Sequence, residues 1–200
     1  MVTIVIPYNE DRGFLRLCLD SIHEQTYKDI QLIEVHSPDS VAKNFNKGLA
    51  QAKGEFFKVV GEDDFLPKNS IEDLVNGMFD HPWICANAYN IYDGSNITRE
   101  IPPIEGLRFE NMVNLNVIHN GTTMYRTEIL REIGGMDESL WTAEEYEMHL
   151  RLMKNGYLPG YVPKFVYYYR VWGRSKSVTH RRKDPVKRKA EIERIQNLYR

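Results

Sequence analysis

Glu62, Asp63 and Asp64 are consecutive, and they end an apolar run, Phe56-Phe57-Lys58-Val59-Val60, that reads as a buried strand. Two neighbouring carboxylates at the C-terminal end of a strand can grip a divalent cation through hard oxygen ligands, and that cation can hold phosphates. In open α/β sheets, ligands bind in the crevice beyond the carboxyl ends of the strands. The plainer reading is an acidic turn before a helix, with Asp64 or Asn69 capping it. The elements on either side decide between the two.

Those elements alternate. Val2-Thr3-Ile4-Val5-Ile6 is a β-rich run halted by Pro7, and Pro7-Tyr8-Asn9-Glu10 forms the first turn. Phe14, Leu15, Cys18, Leu19 and Ile22 fall three and four apart, on one face of a helix. Ile30 to Val35 reads as a second strand, and Val41 to Lys53 as a helix closed by Gly54. Glu55 to Val60 is the strand that carries the acids, and a helix over Asn69 to Met78 follows Pro67. Such alternation implies parallel pairing with right-handed crossovers. Residues 1–80 therefore read as the nucleotide-binding half of an α/β domain.

The rhythm then loosens. Trp83 to Ala88 is a further strand, followed by Tyr89 to Tyr92 and a turn at Asp93-Gly94, and Ile101-Pro102-Pro103 is an irregular loop. His119-Asn120-Gly121-Thr122 is a polar knot before a short helix that starts near Thr127. Gly134-Gly135 marks a turn. Thr142 and Glu145 have capping-box spacing and predict a helix from there to Asn155. Tyr161 to Arg170 reads as a strand and Pro185 to Tyr199 as a basic helix.

Two hundred residues, 42% hydrophobic and 27% charged, suit one soluble globular domain. The net charge of −2 gives no general drive toward nucleic acid or membrane, but it is uneven: residues 180–200 carry +5, leaving −7 on the rest. No apolar stretch approaches bilayer length, and Pro7 with Asn9-Glu10-Asp11 interrupts the N-terminal run, so no signal peptide is expected. Cys18 and Cys85 lie among apolar neighbours and read as buried free thiols, which points to a cytoplasmic protein. The last helix sets Ile192, Ile195 and Tyr199 opposite Lys187, Arg188, Lys189 and Arg194. It can pack on the domain, mediate self-association, or lie peripherally on the anionic inner membrane surface.

Five landmarks, taken in order, resemble the family 2 inverting glycosyltransferases of GT-A fold. They are Pro7-Tyr8-Asn9-Glu10; Asn46-Lys47-Gly48 with Ala52-Lys53-Gly54-Glu55; Asp63-Asp64 with Pro67; Gly134-Gly135-Met136-Asp137-Glu138 followed by Glu144-Glu145-Tyr146-Glu147; and Tyr169-Arg170 with Ser175-Lys176-Ser177. The resemblance implies an αβα sandwich with a mostly parallel central sheet. It divides the chain into a domain over residues 1–178, with an acceptor or catalytic half from residue 81, and a basic tail over 179–200. The implied activity is metal-dependent transfer of a hexosyl or N-acetylhexosaminyl group from a nucleotide-diphospho sugar, with uridine the expected base, to a hydroxyl of a glycan or other acceptor.

The resemblance also distributes roles. Asp64 is expected chiefly on a Mn²⁺ or Mg²⁺ ion, Asp63 on the ribose or the metal, and Glu62 in solvent. The acceptor proton falls to Glu145, with Glu144 as the alternative base. Pro7, Tyr8 and Glu10 match the base-binding turn. The family's acidic stretch after the second strand is replaced by Glu34-Val35-His36-Ser37-Pro38-Asp39, where Asp39 or Glu34 can substitute. Arg170, Arg174 and Lys176 suit the diphosphate, and His119, Asn120 and Thr122 the acceptor side. Gly61 stands where many relatives carry another aspartate, and Trp172 where many carry a histidine, so His180 is the histidine left to reach the metal. These departures sustain a second reading, a degenerate domain that binds nucleotide sugar or glycan without catalysis.

Overall fold

The computed structural model describes residues 1–92, 96–173 and 184–200. The alternating part folds as its pattern predicts. Strands β1 (Val2–Tyr8), β2 (Ile30–His36) and β3 (Phe56–Val59) pair in parallel, joined by α1 (Leu15–His23) and α2 (Val41–Gln51) and followed by α3 (Ser70–Gly77). Alternation along β1 sends Ile4 and Ile6 to one face and Val5 to the other. Ile4 and Ile6 pack with Cys18 and Ile22 of α1 and Ile71 and Leu74 of α3. Val5 packs with Ala42, Phe45 and Leu49 of α2. Helix α2 comes this close because residue 48 is glycine; a Cβ there would sit 2.5 Å from the Val5 side chain.

The later part departs from alternation. β4 (Trp83–Tyr92) runs on through the tyrosine stretch and folds back onto β5 (Asn96–Glu100), an edge strand whose mostly exposed residues show no buried face in sequence. A short α4 (Phe109–Met112) and a 3-10 turn, Asn120–Thr122, lead to β6 (Met124–Arg126), antiparallel to β3 and β4. After α5 (Thr127–Glu132) and α6 (Glu144–Lys154), β7 (Pro159–Val171) pairs in parallel with β4 across a bulge at Ala86–Ala88. The seven-stranded sheet has the order β2-β1-β3-β6-β4-β5, with β7 also on β4. Its two longest ladders, β1–β2 and β4–β7, are parallel. Helices cover both faces, the expected three-layer α/β arrangement.

The packing corrects one expectation and decides among the readings of the tail. Thr142 does not cap α6. Ala143 precedes the helix with φ 60 and ψ 25, and no side chain caps the first turn. A left-handed residue in that position breaks the capping-box geometry, and among the described residues it is the only one other than glycine at positive φ. The basic tail forms α7 (Pro185–Tyr199), but it is not a free amphipathic helix. Ile195 is completely buried, Ile192 and Tyr199 pack against the same core, and Gln196 Nε2 donates to Asn114 O at 2.9 Å. Its apolar side is used by the domain, so peripheral attachment to a membrane through that side is not supported. Among the described residues no helix is long and apolar enough to cross a membrane.

Candidate active site

The three acids fold into three different environments. Glu62 is not in solvent: it is 3% exposed and its carboxylate pairs with Arg12 at 2.5 Å. A buried carboxylate needs such a partner, and Arg12 reaches it from the β1–α1 loop. Asp64 is turned inward. Its Oδ2 accepts from Tyr167 Oη at 2.7 Å and its Oδ1 from the Arg170 backbone N–H at 2.8 Å. Burial, with the Asp63 charge beside it, holds this carboxyl well above the usual carboxylate range. Asp63 Oδ2 accepts from the Trp172 indole N–H at 2.7 Å. Its Oδ1 accepts nothing among the described residues and is not sealed from solvent.

The clamp on this turn comes from the end of β7. Tyr167 Oη also accepts from Gly61 N at 3.0 Å, Arg170 Nε donates to Asp63 O at 3.0 Å, and Phe65 pairs with Tyr168 as an isolated bridge. The ring of Trp172 lies under the Arg12 guanidinium and meets Phe14 edge-on, while Arg170 lies 4.2 Å over the Phe14 ring. Gly61 explains itself in this setting. A Cβ there would stand 2.7 Å from Asp64 Oδ2 and 3.3 Å from Asp63 Oδ1, crowding both carboxylates.

On the other side of the crevice, Pro7 and Tyr8 end β1 beside Val35 and His36 of β2. Tyr8 stacks on the His36 ring, centroids 4.8 Å apart, and donates to Glu34 Oε2 at 3.1 Å. Glu10 is exposed in the loop that follows. Asp39 is paired with Lys47 at 2.5 Å and accepts from Ser37 Oγ, contacts that hold its carboxyl below the usual range.

The residues expected on the acceptor side, His119, Asn120 and Thr122, lie at the 3-10 turn against β4 and β7, and the acids expected to supply the base lie at the start of α6. Three acids, Glu144, Glu145 and Glu147, occupy its first turn, where the helix dipole favours negative charge. Glu144 is 1% exposed, whereas Glu145 is half-buried. Burial raises the Tyr125 pKa and the Glu145 charge adds to the rise; the same charge reaches His119. His119 packs against Tyr167 and Tyr169, and burial lowers its pKa in spite of Glu100 and Glu145. Thr122 has no exposed surface; its hydroxyl accepts from Ala86 N and donates to His119 O, so it shapes the turn from inside. Beneath them Lys58 is fully buried, donating to Gly121 O at 2.6 Å and lying 5.3 Å from the Tyr167 ring centre, its pKa pushed down to about 7.

Two sequence landmarks meet to aim this helix. Asn46 Oδ1 accepts from Met136 N and Asn46 Nδ2 donates to Met136 O and Glu138 Oε1. Gly135 allows it, since a Cβ would lie 2.2 Å from Asn46 Oδ1 and the residue has φ 71. Arg151 of α6 donates to Ile133 O and Gly135 O from the other side and pairs with Glu147.

A family model described as glycosyl transferase family 2 matches residues 35–134, half of the sequence. The chain belongs to glycosyl transferase family 2. An uncharacterized glycosyltransferase of Rickettsia felis is 24% identical over 191 residues, covering 77% of this chain but 31% of that relative's length. TarS of S. aureus in its complex with UDP-GlcNAc superposes with a TM-score of 0.71 at 15% identity, covering 99% of this chain and 66% of that one. The mannosyltransferase PcManGT of Pyrobaculum calidifontis, in complex with GDP-Man and Mn²⁺, gives 0.64 at 18% identity, covering 96% and 64%. The likeness to these structures establishes the shared GT-A fold.

For a family 2 domain the donor set around the acidic turn fits one class of cation. Mg²⁺ and its relatives are bound through one or two carboxylates together with substrate phosphates. Asp63 Oδ1 can supply such a contact, and among the described residues no group of three or more His, Cys, Asp or Glu side chains forms an all-protein cage. Arg174, Lys176 and His180, expected at the diphosphate and the metal, lie outside the described residues. Sequence reasoning passed over Arg12, Lys58 and Tyr167. Lys58 carried a signal, a lone charge within an apolar strand run, whereas Tyr167 was hidden among three adjacent tyrosines.

Proposed function

We propose that this family 2 domain transfers a sugar from a nucleotide-diphospho sugar to an acceptor hydroxyl by one inverting displacement, with a UDP-linked donor. The observation that carries the reading is the chain that links the two ends of the site: the Glu145 charge is felt at His119, the His119 ring packs on Tyr167, and Tyr167 Oη binds Asp64, next to Asp63 with its open Oδ1. In this reading the acceptor oxygen attacks the anomeric carbon, the bond from that carbon to the diphosphate oxygen breaks, and its electron pair leaves with the nucleoside diphosphate. The acceptor proton passes to Glu145. Glu144, sealed by packing, supports the turn instead.

Asp63 would hold a divalent ion, Mn²⁺ or Mg²⁺, which when bound neutralises charge developing on the departing phosphate. Asp64 then serves as the internal anchor that fixes Asp63. Arg170 lies beside the diphosphate path, and Tyr8 with Glu34 and Asp39 flanks the place for the base. The solved relatives support the donor class: TarS was captured with UDP-GlcNAc and PcManGT with GDP-Man. The lean donor set favours the non-catalytic alternative, and one experiment separates the two. Glu145→Gln should lower kcat by about 10²- to 10⁴-fold. It should leave intact the rise in melting temperature given by nucleotide with Mn²⁺, roughly 5–10 °C at a hundredfold excess over Kd. Transfer that persists in Glu145→Gln removes that residue from the role of base, and wild-type protein that binds nucleotide without any turnover favours the binding domain.

A further inference from the structure

The acceptor-side turn is tied to the core by a chain of side chains that the displacement itself does not use. His149 of α6 is completely buried, with its ring stacked 4.8 Å from that of Trp83. Its Nε2 lies 2.7 Å from Tyr125 Oη, and Tyr125 Oη lies 3.3 Å from Asn120 Oδ1. His149 Nδ1 is buried without a hydrogen-bond partner. The Thr123 hydroxyl lies 2.6 Å from Asn120 O and 3.4 Å from Asn120 Oδ1; its single proton goes to the nearer carbonyl, which leaves Tyr125 as the donor for Asn120 Oδ1. Asn120 Nδ2 donates to nothing among the described residues and is not sealed from solvent.

Counting protons couples these groups. A neutral imidazole has one N–H and a tyrosine one O–H, and burial keeps His149 neutral, its pKa pushed down to about 3. With the proton on Nε2, His149 donates to Tyr125, Tyr125 donates to Asn120 Oδ1, and the unpartnered Nδ1 is a bare lone pair. With the proton on Nδ1, a buried N–H has no acceptor, an arrangement that folded proteins nearly exclude. In that state Tyr125 donates to His149, and Asn120 Oδ1 is left with only the 3.4 Å approach of the Thr123 hydroxyl, whose one proton is held by Asn120 O at 2.6 Å, so the amide turns over. The imidazole tautomer and the direction of the Asn120 amide are therefore one choice.

We infer that Asn120 is a specificity-determining residue of the acceptor side, and that Tyr125 and His149 are positioning residues that hold its amide with Oδ1 inward and Nδ2 outward. This inference rests on the glycosyl-transfer reading and deepens it. Glu145 takes a proton from the acceptor, whereas Asn120 Nδ2 needs a lone pair from it. An acceptor whose reacting hydroxyl stands next to another oxygen, as on the vicinal carbons of a sugar ring, satisfies both. With Oδ1 outward instead, two hydrogen-bond acceptors would face the substrate and that pairing would be lost.

Heteronuclear NMR of the histidine ring nitrogens in the full chain without ligand reads the relay by itself. The expected result is a neutral His149 protonated at Nε2; a proton on Nδ1 overturns the relay. Transfer kinetics then test the specificity role, using the nucleotide sugar that gives the largest thermal shift and a panel of free monosaccharides. Asn120→Asp replaces the amide donor by an acceptor of the same shape. It should raise the acceptor KM about tenfold or more, the loss of roughly one hydrogen bond, with a smaller change in kcat. Tyr125→Phe should show the same split, and if it does not fold, Asn120→Asp still decides the question because its side chain reaches solvent. An unchanged acceptor KM in Asn120→Asp overturns the specificity role. Wild-type protein that binds nucleotide but transfers to no sugar overturns a sugar acceptor. Wild-type protein that binds no nucleotide overturns the glycosyl-transfer reading itself, whatever the tautomer.

Discussion

At the scale of single residues, adjacent aspartates stand in opposite settings because their hydrogen-bond partners differ. Asp64 gives both carboxylate oxygens to Tyr167 and to the Arg170 backbone, while Asp63 gives one to Trp172 and keeps the other outward. Asp64→Ala would orphan a buried hydroxyl and a backbone N–H, so it should destabilise the fold by about 1–3 kcal/mol. Asp63→Ala should change stability by under about 1 kcal/mol and abolish the Mn²⁺-dependent part of the nucleotide thermal shift. Thermal melts of both variants with UDP, with and without Mn²⁺, check this. Should well-folded Asp64→Ala lose the metal-dependent shift while Asp63→Ala keeps it, the metal belongs to Asp64.

At the scale of elements, the site depends on pieces that lie far from it. Helix α7 buries Ile195 in the core shared with α2 and α6, and Tyr199 Oη donates to Glu147 Oε1 at 2.6 Å in the first turn that also holds Glu145. Ile195→Ala removes a fully buried side chain and should cost about 3 kcal/mol, lowering Tm by roughly 6–12 °C. A change near zero would mean that α7 is not docked in solution. The link between α2 and the Gly-Gly turn works in the same way: Asn46 makes three hydrogen bonds to the segment Met136–Glu138 and fixes the approach to α6.

At the scale of the whole molecule, two buried bases tilt stability toward higher pH. The folded pKa of His149 is about 3, below the ordinary 6.5, so the unfolded chain binds the extra proton and stability falls as pH drops from about 6.5 toward 3. The folded pKa of Lys58 is about 7, below the ordinary 10.5, so stability rises with pH through that window. The carbonyls of Gly121 and Thr123 and the Tyr167 ring favour the ammonium form and moderate the second effect. Burial raises the Asp64 carboxyl and pushes Glu62 up to about 7, and these acids act in the opposite sense from about pH 4 to 7. Above neutrality the lysine dominates: urea midpoints should rise from about pH 7 to 8.5, and Lys58→Met should flatten that limb; a wild-type profile falling over this window would contradict the assignment.

The sequence by itself determined the alternating α/β half, the acidic turn at a strand end, the Gly-Gly turn and the basic last helix, because periodicity, glycine and proline act within a few residues of the chain. Only the tertiary structure decided which of the acids faces outward, because the partners that orient Asp64 stand more than a hundred residues away and arrive through the β4–β7 ladder. The false cap at Thr142 has the same origin. Its spacing is a local signal, overruled by the left-handed Ala143 that precedes the helix. Likewise the tail's amphipathic pattern could announce an apolar face, but the surface that covers it, near α4 and α6, exists only once the chain has folded.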